Sequence, residues 1–196
     1  MTRPRVGVLA LQGDVREHAR VLTGRGADVR LVRRPEDLAA VDALVLPGGE
    51  SSVIDKLSRA FGMRDPLRAA IADGMPVLGT CAGLILLADR LEDGITGQQT
   101  FGGLDVTVRR NAFGSQTESF ETDLDVPAVG SPPVHATFIR APIVTAVGPS
   151  AEVIAQLPGG GIVGVRRGSI IGLSFHPELD DETRFHDLLL GAVRDA

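Results

Sequence analysis

Met75-Pro76-Val77-Leu78-Gly79-Thr80-Cys81-Ala82-Gly83-Leu84-Ile85-Leu86-Leu87-Ala88 runs from one apolar stretch to another across a turn that holds the only cysteine of the chain. Met75 to Leu78 reads as a buried strand and Leu84 to Ala88 as the helix that follows it. Between them, Gly79-Thr80-Cys81-Ala82-Gly83 has the G-x-C-x-G pattern, the thiol form of a nucleophile elbow. The two glycines allow a sharp turn with no side chain crowding the sulfur. A helix N-terminus just beyond Cys81 favours the thiolate, the reactive form. A buried structural cysteine is the competing reading, and it is a common one.

A histidine later in the chain separates the two. Ser174-Phe175-His176-Pro177-Glu178 follows a run, Ser169 to Phe175, that reads as a strand. In extended backbone, positions two apart point the same way, so His176 and Glu178 can face one site. Pro177 biases His176 away from helical geometry. The carboxylate would then orient and charge the imidazole while the imidazole serves the thiol. His18 and His186 fall on expected helices and read as surface or packing residues. His135 lies near the start of a later strand and lacks a sequence-adjacent acid at the right spacing.

Outward from the elbow, the first half alternates short apolar runs with amphipathic segments, the rhythm of a parallel sheet covered by helices. Val6 to Leu11, Ala27 to Val32 and Ala43 to Leu46 are expected strands. Helices are expected over Asp14 to Arg25, from a Ser51 or Ser52 cap to Ala60, and from Pro66 to Asp73-Gly74. Right-handed crossovers place Gln12, Gly48, Gly49 and Cys81 on one sheet edge. The second half reads as closely spaced strands (Val106–Val108, Glu118–Thr122, Val134–Ile139, Val144–Val147, Val153–Gln156, Ile162–Arg166) with Asp181 to Val193 closing as a helix. The expected class is therefore α/β, a largely parallel central sheet flanked by helices with added antiparallel strands. Pro127 to Pro133 is the expected mobile loop.

With 196 residues, 43% hydrophobic and 23% charged, the chain fits one soluble domain with a sizeable core. A net charge of −5 argues against nucleic acid as partner. A single cysteine rules out an internal disulfide framework, no zinc-type cluster is evident, and no apolar run approaches the ~20 residues that span a membrane. The start of the chain reads directly as a strand rather than a signal peptide, so a cytoplasmic location is expected. Trp and Tyr are both absent, which has no functional account.

The chain resembles the class I glutamine amidotransferases, and within them the glutaminase subunits of the pyridoxal 5′-phosphate synthase complex. The cysteine and histidine motifs carry the broad resemblance. The narrower one rests on Gly7-Val8-Leu9-Ala10-Leu11-Gln12-Gly13-Asp14 with Arg16-Glu17-His18, Pro47-Gly48-Gly49-Glu50-Ser51-Ser52, Arg110-Asn111-Ala112-Phe113-Gly114 and Phe138-Ile139-Arg140-Ala141-Pro142. Ser115 departs from the family's usual arginine. The resemblance covers nearly the full length and implies a single amidotransferase domain over residues 1–196. It further implies Cys81, His176 and Glu178 as the catalytic set, and Gly48, Gly49, Glu50, Arg110, Ile139 and Arg140 as glutamine-binding positions. The expected oxyanion donors are the amides of Gly49 and Ala82. No cofactor or metal is implied. The implied partner is the lyase subunit of the synthase, in a large hetero-oligomer, which receives the ammonia for vitamin B6 biosynthesis. Three rivals share part of the pattern. One is an intracellular cysteine hydrolase related to proteases. Another is a class I glutaminase serving a different synthase, such as that of imidazole glycerol phosphate. The third is a non-enzymatic binding module on the same fold.

Overall fold

The computed structural model describes residues 3–110, 119–180 and 182–194. The first half runs β1 (Arg5–Leu9), α1 (Val15–Gly24), β2 (Asp28–Val32), α2 (Pro35–Leu38), β3 (Ala43–Leu46), α3 (Ser51–Ala60), α4 (Arg64–Ala72), β4 (Val77–Thr80), α5 (Ala82–Leu87). The second runs β5 (Ala88–Glu92), β6 (Leu104–Arg109), β7 (Ser119–Leu124), β8 (Val134–Ile139), β9 (Ile143–Val147), β10 (Glu152–Gln156), β11 (Ile162–Arg167), β12 (Ile170–Leu173), α6 (Arg184–Arg194).

One sheet has the order β2-β1-β3-β4-β12-β11-β9-β6-β5, with β10 paired to β11. From β2 through β12 every pairing is parallel. From β12 through β6 the pairings are antiparallel, and β5 returns to parallel at the far edge. The α/β class and the added antiparallel strands are as the sequence implied. Strands β7 and β8 form a separate antiparallel ribbon. The seam between the two halves is β4–β12, where Gly172 lies opposite Gly79 and Leu173 opposite Thr80. That register alone brings the segment after Leu173 alongside the residue after Thr80.

Alternation along each strand divides the core between the two sheet faces. Leu44 and Leu46 pack with Ile54 of α3, Leu67 of α4 and Leu84 of α5. Ala43 and Val45 pack on the other face with Leu22 of α1, Phe138 of β8, and Phe185 and Leu189 of α6. Phe175 sits between Phe138 and Phe185, with ring centroids 5.7 and 5.6 Å away. Fully buried, it anchors the backbone immediately before His176.

Several boundaries depart from the sequence reading. Neither α2 nor β5 was foreseen; Ala88–Glu92 carries three charges, and only its pairing with β6 makes it a strand. Glu50, rather than a serine, caps α3, its carboxylate accepting the Ser52 N–H at 3.3 Å. Helix α4 starts at Arg64, which leaves Pro66 in the first turn, where a missing N–H costs no helical bond. β12 stops at Leu173, and residues 177–180 form a turn rather than extended chain. The expected loop at Pro127 to Pro133 is tied down by Arg184, whose Nη1 donates to the carbonyls of Gly130 (2.9 Å) and Pro132 (2.7 Å). Asn111 to Gly114, Ser115 and Glu118 lie outside the described residues. No described helix is long and apolar enough to cross a membrane.

Candidate active site

Cys81 follows the last residue of β4 and is the N-cap of α5, with φ +49° and ψ −102°. The strained left-handed backbone therefore sits on the nucleophile candidate itself, not on its flanking glycines, and such a conformation costs roughly 1–3 kcal/mol. The glycines serve another purpose. A Cβ on Gly83 would strike the Leu46 carbonyl, and one on Gly79 would lie 2.6 Å from Leu87 Cδ1 and 2.7 Å from the Gly83 carbonyl carbon. They let α5 lie directly against β3 and β4, which fixes where the sulfur projects. The Cys81 N–H donates to the Leu173 carbonyl at 2.8 Å, tying the elbow to the end of β12. The residue is 7% exposed, and its Sγ lies 4.0 Å from the Ile139 carbonyl oxygen.

His176 Nδ1 and Glu178 Oε1 are 2.7 Å apart, and both side chains are buried. The turn over 177–180, closed by Leu179 N–H to the His176 carbonyl at 3.2 Å, brings them together in place of the expected extended chain. The His176 N–H donates to the Thr137 carbonyl at 3.1 Å, linking the turn to the ribbon. Burial alone would lower the His176 pKa, but interaction with Cys81 and Glu178 outweighs it and raises the value to about 10. Burial pushes the Glu178 carboxyl up, against the pull of the neighbouring imidazole. The ring is thus an imidazolium at neutral pH beside the sulfur.

The Gly48-Gly49 turn packs on this pair. A Cβ on Gly48 would strike the His176 ring and come within 2.6 Å of Asp14 Oδ2; one on Gly49 (φ +148°) would be 2.6 Å from Gln12 Oε1. The turn is held from the loop before α1. The Gly48 carbonyl accepts the Asp14 N–H at 3.1 Å, and the Glu50 N–H donates to Gln12 Oε1 at 2.7 Å. Arg110 is no solvated surface charge: Nη2 donates to Glu50 Oε1 at 2.8 Å and Nη1 to Gln98 Oε1 at 2.9 Å, and its side chain is only 10% exposed. Ile139 and Arg140 are exposed, Arg140 with φ +45°, and it is the Ile139 backbone that approaches Cys81. Ala82 is the first residue of α5.

Five neighbours escaped the sequence reading. Gln98 links Arg110 to Ser51 Oγ (3.0 Å) and lies in a stretch with no periodic signal. Asp14 Oδ2 stands 3.5 Å from His176 Nδ1, and Asp14, His176 and Glu178 form a described group whose donor atoms lie within 4.8 Å of one another. His18 and Thr80 are fully buried behind Glu178, with His18 Nε2 3.1 Å from Thr80 Oγ1 and 3.5 Å from Glu178 Oε1. His186 is also fully buried, its Nε2 3.0 Å from His18 Nδ1, so neither helical histidine is at the surface. His135 does have acids, but across the ribbon: Asp123 at 3.0 Å and Glu121 at 3.3 Å, all exposed and raising its pKa.

The chain is 65% identical over 193 residues to the Clavibacter sepedonicus protein named pyridoxal 5′-phosphate synthase subunit PdxT, covering 98% of this chain and 92% of that one. A Leifsonia xyli protein of the same name is 63% identical over 190 residues, covering 97% and 96%. A solved glutamine amidotransferase superposes with a TM-score of 0.89 at 45% identity, covering 96% of this chain and 98% of that one. A putative GMP synthase subunit from Thermoplasma acidophilum, at 18% identity and TM-score 0.70, shares the fold. The model of the SNO glutamine amidotransferase family matches residues 8–195, and the chain belongs to that family.

Proposed function

We propose that this chain is a glutaminase that hydrolyses L-glutamine to L-glutamate and ammonia and passes the ammonia to a synthase subunit that makes pyridoxal 5′-phosphate. The observation that carries the reading is the buried Cys81, His176 and Glu178 set at the β4–β12 seam. Its near-full-length likeness to proteins named as subunits of that synthase supports the pathway.

The chemistry follows from the positions. Cys81 Sγ attacks the side-chain amide carbon, and the tetrahedral oxyanion collapses to a glutamyl thioester as ammonia leaves. His176 gives its proton to the departing nitrogen, then takes one from the water that deacylates the enzyme. Glu178 holds the ring by Nδ1 and supports its charge. The amides of Ala82 and Gly49 stabilise the oxyanion, a donor of this kind contributing on the order of 3 kcal/mol. Arg110 offers a cation for the substrate α-carboxylate and Glu50 an acceptor for the α-ammonium, the two fixing each other's position. The roles assigned to Gly48, Ile139 and Arg140 are to line this pocket with backbone. The whole chain acts as one amidotransferase domain with no cofactor of its own, in a cytoplasmic hetero-oligomer with the lyase subunit.

Docking of the synthase subunit completes the site. The Gly48 carbonyl is engaged by the Asp14 N–H, which directs the Gly49 N–H of the same peptide to the opposite side. Rotating that peptide toward the oxyanion gives up one hydrogen bond and is cheap in steric terms at two glycines. Glutamate release from glutamine, measured with the chain alone and with saturating synthase subunit, tests both statements. Release that rises with the synthase subunit is the expected result. No release in either assay refutes the glutaminase, and equal kcat/KM refutes activation by docking.

A further inference from the structure

Behind the catalytic pair lies a chain of buried polar groups that the reaction as written does not use. His186 Nε2 is 3.0 Å from His18 Nδ1, and His18 Nε2 is 3.1 Å from Thr80 Oγ1 and 3.5 Å from Glu178 Oε1. All four residues are fully buried and come from α6, α1, β4 and the turn after β12. Three buried polar side chains joined through His18 behind one carboxylate are costly to assemble unless their protons are arranged to match it.

Two neutral arrangements are possible, because burial holds both histidines well below their usual pKa and each ring then carries one N–H. In one, His186 Nε2–H donates to His18 Nδ1 and His18 Nε2–H points at Thr80 and Glu178. In the other, His18 Nδ1–H donates to His186, and a bare His18 Nε2 lone pair faces the carboxylate at 3.5 Å. The second arrangement also puts a proton on His186 Nδ1, a buried atom without a hydrogen bond of normal geometry, although the Glu182 backbone carbonyl lies near that ring. The carboxylate decides between them. Glu178 Oε2 has no hydrogen-bond partner, so beyond the residue's own backbone N–H the charge depends on side-chain donors reaching Oε1. An N–H toward Oε1 is attractive; a lone pair there repels.

We propose that His18 is a positioning residue for Glu178: its Nε2–H, set by Thr80 in front and the His186 ring behind, presents a positive edge to the buried carboxylate and keeps it aligned on His176. The inference rests on the reading of Cys81, His176 and Glu178 as the catalytic set. Chemically it extends the orienting line inward, from sulfur to imidazole to carboxylate to a second imidazole on α1. The ionisable groups that face Glu178 are His176 from its own turn, Asp14 from the loop before α1, and His18 with His186 behind it.

The side-chain amide nitrogen of glutamine falls near the position of imidazole Nε2, and that of asparagine near Nδ1. H18Q therefore keeps a donor toward Glu178, while H18N keeps only the contact with His186. With the synthase subunit saturating, kcat of H18N should fall about tenfold or more below that of H18Q, with KM for glutamine alike in the two. The acid limb of kcat/KM should move to higher pH in H18N but not in H18Q, because a carboxylate deprived of a donor protonates more readily. Equal kcat and equal pH profiles in the two variants would overturn the proposal. Independently of activity and of whether either variant folds, imidazole ¹⁵N NMR of the wild-type chain should show His18 protonated on Nε2. Protonation on Nδ1 would overturn it. A wild-type complex that releases no glutamate refutes the glutaminase instead, and the tautomer then still decides the placement of His18.

Discussion

Replacing Cys81 by alanine should lower the pKa of a residue that is distant in sequence, His176. The imidazole is raised from 6.5 to about 10 against the opposing effect of burial, by interaction with Cys81 and with Glu178. At roughly 1.4 kcal/mol per tenfold, that rise is on the order of 5 kcal/mol in favour of the imidazolium. Cys81 and Glu178 share it, so removing the sulfur should bring the His176 pKa down by at least about one pH unit, or ~1.4 kcal/mol. The sign for stability follows. A folded-state value above the unfolded one adds stability that is fully present below about pH 6.5 and is lost as pH rises through about 10. The contribution of His176 to unfolding free energy should therefore fall across that window in the wild type, and it should fall by less and finish falling sooner in the C81A variant. Imidazole ¹³C and ¹⁵N NMR titration of both proteins reads the pKa directly, and denaturant unfolding between pH 6 and 10 reads the linkage. A His176 titration curve identical in the two proteins would refute the coupling of ring and sulfur. The variant should also release no glutamate.

Comparing C81G with C81A isolates the backbone: glycine tolerates φ +49° and alanine does not, so C81G should be the more stable by about 1 kcal/mol despite its freer unfolded chain, with equal melting temperatures counting against strain at the elbow. H176N should reduce kcat/KM by about 10²-fold or more in a glutaminase assay, while H135N, on the exposed ribbon, should leave it unchanged; the reverse pattern would mean the base is His135. R110Q should raise KM for glutamine by about 10- to 100-fold with a smaller effect on kcat, the loss expected for one charge-assisted hydrogen bond to the substrate, and an unchanged KM would remove Arg110 from the binding pocket.

The meeting of Cys81, His176 and Glu178 was legible because each belongs to a short motif whose local geometry is nearly self-contained. Even there the physical reason changed. The sharp turn draws its positive φ from Cys81 rather than from Gly79 or Gly83, and His176 meets Glu178 through a turn rather than an extended strand. His18 and His186 were not legible as partners, since an amphipathic helix does not reveal which distant helix its buried face will meet. Thr80 read only as part of the turn that holds the cysteine, whereas it is the last residue of β4. The parallel half of the sheet was readable from its alternating rhythm, whereas β5, rich in charge, exists as a strand only because β6 lies beside it. Arg110 and Glu50 showed no mutual signal in the sequence, because their pairing crosses from the cap of α3 to the end of β6.

The β4–β12 seam has a consequence for the order in which the protein comes into being. Cys81 emerges from the ribosome long before the strand that brings His176 beside it, so a growing chain carries a thiol with no His176 imidazole next to it. The first four parallel strands can assemble early, but the fifth place in that row stays open until β12 arrives, after five intervening strands of the same sheet and the ribbon have been made. A chain that stalls or is truncated before residue 178 has Cys81 without the His176–Glu178 pair. If the three residues act together as proposed, amide hydrolysis becomes available only after the turn that follows β12 has been made, and a translation product that stops short of it spares glutamine.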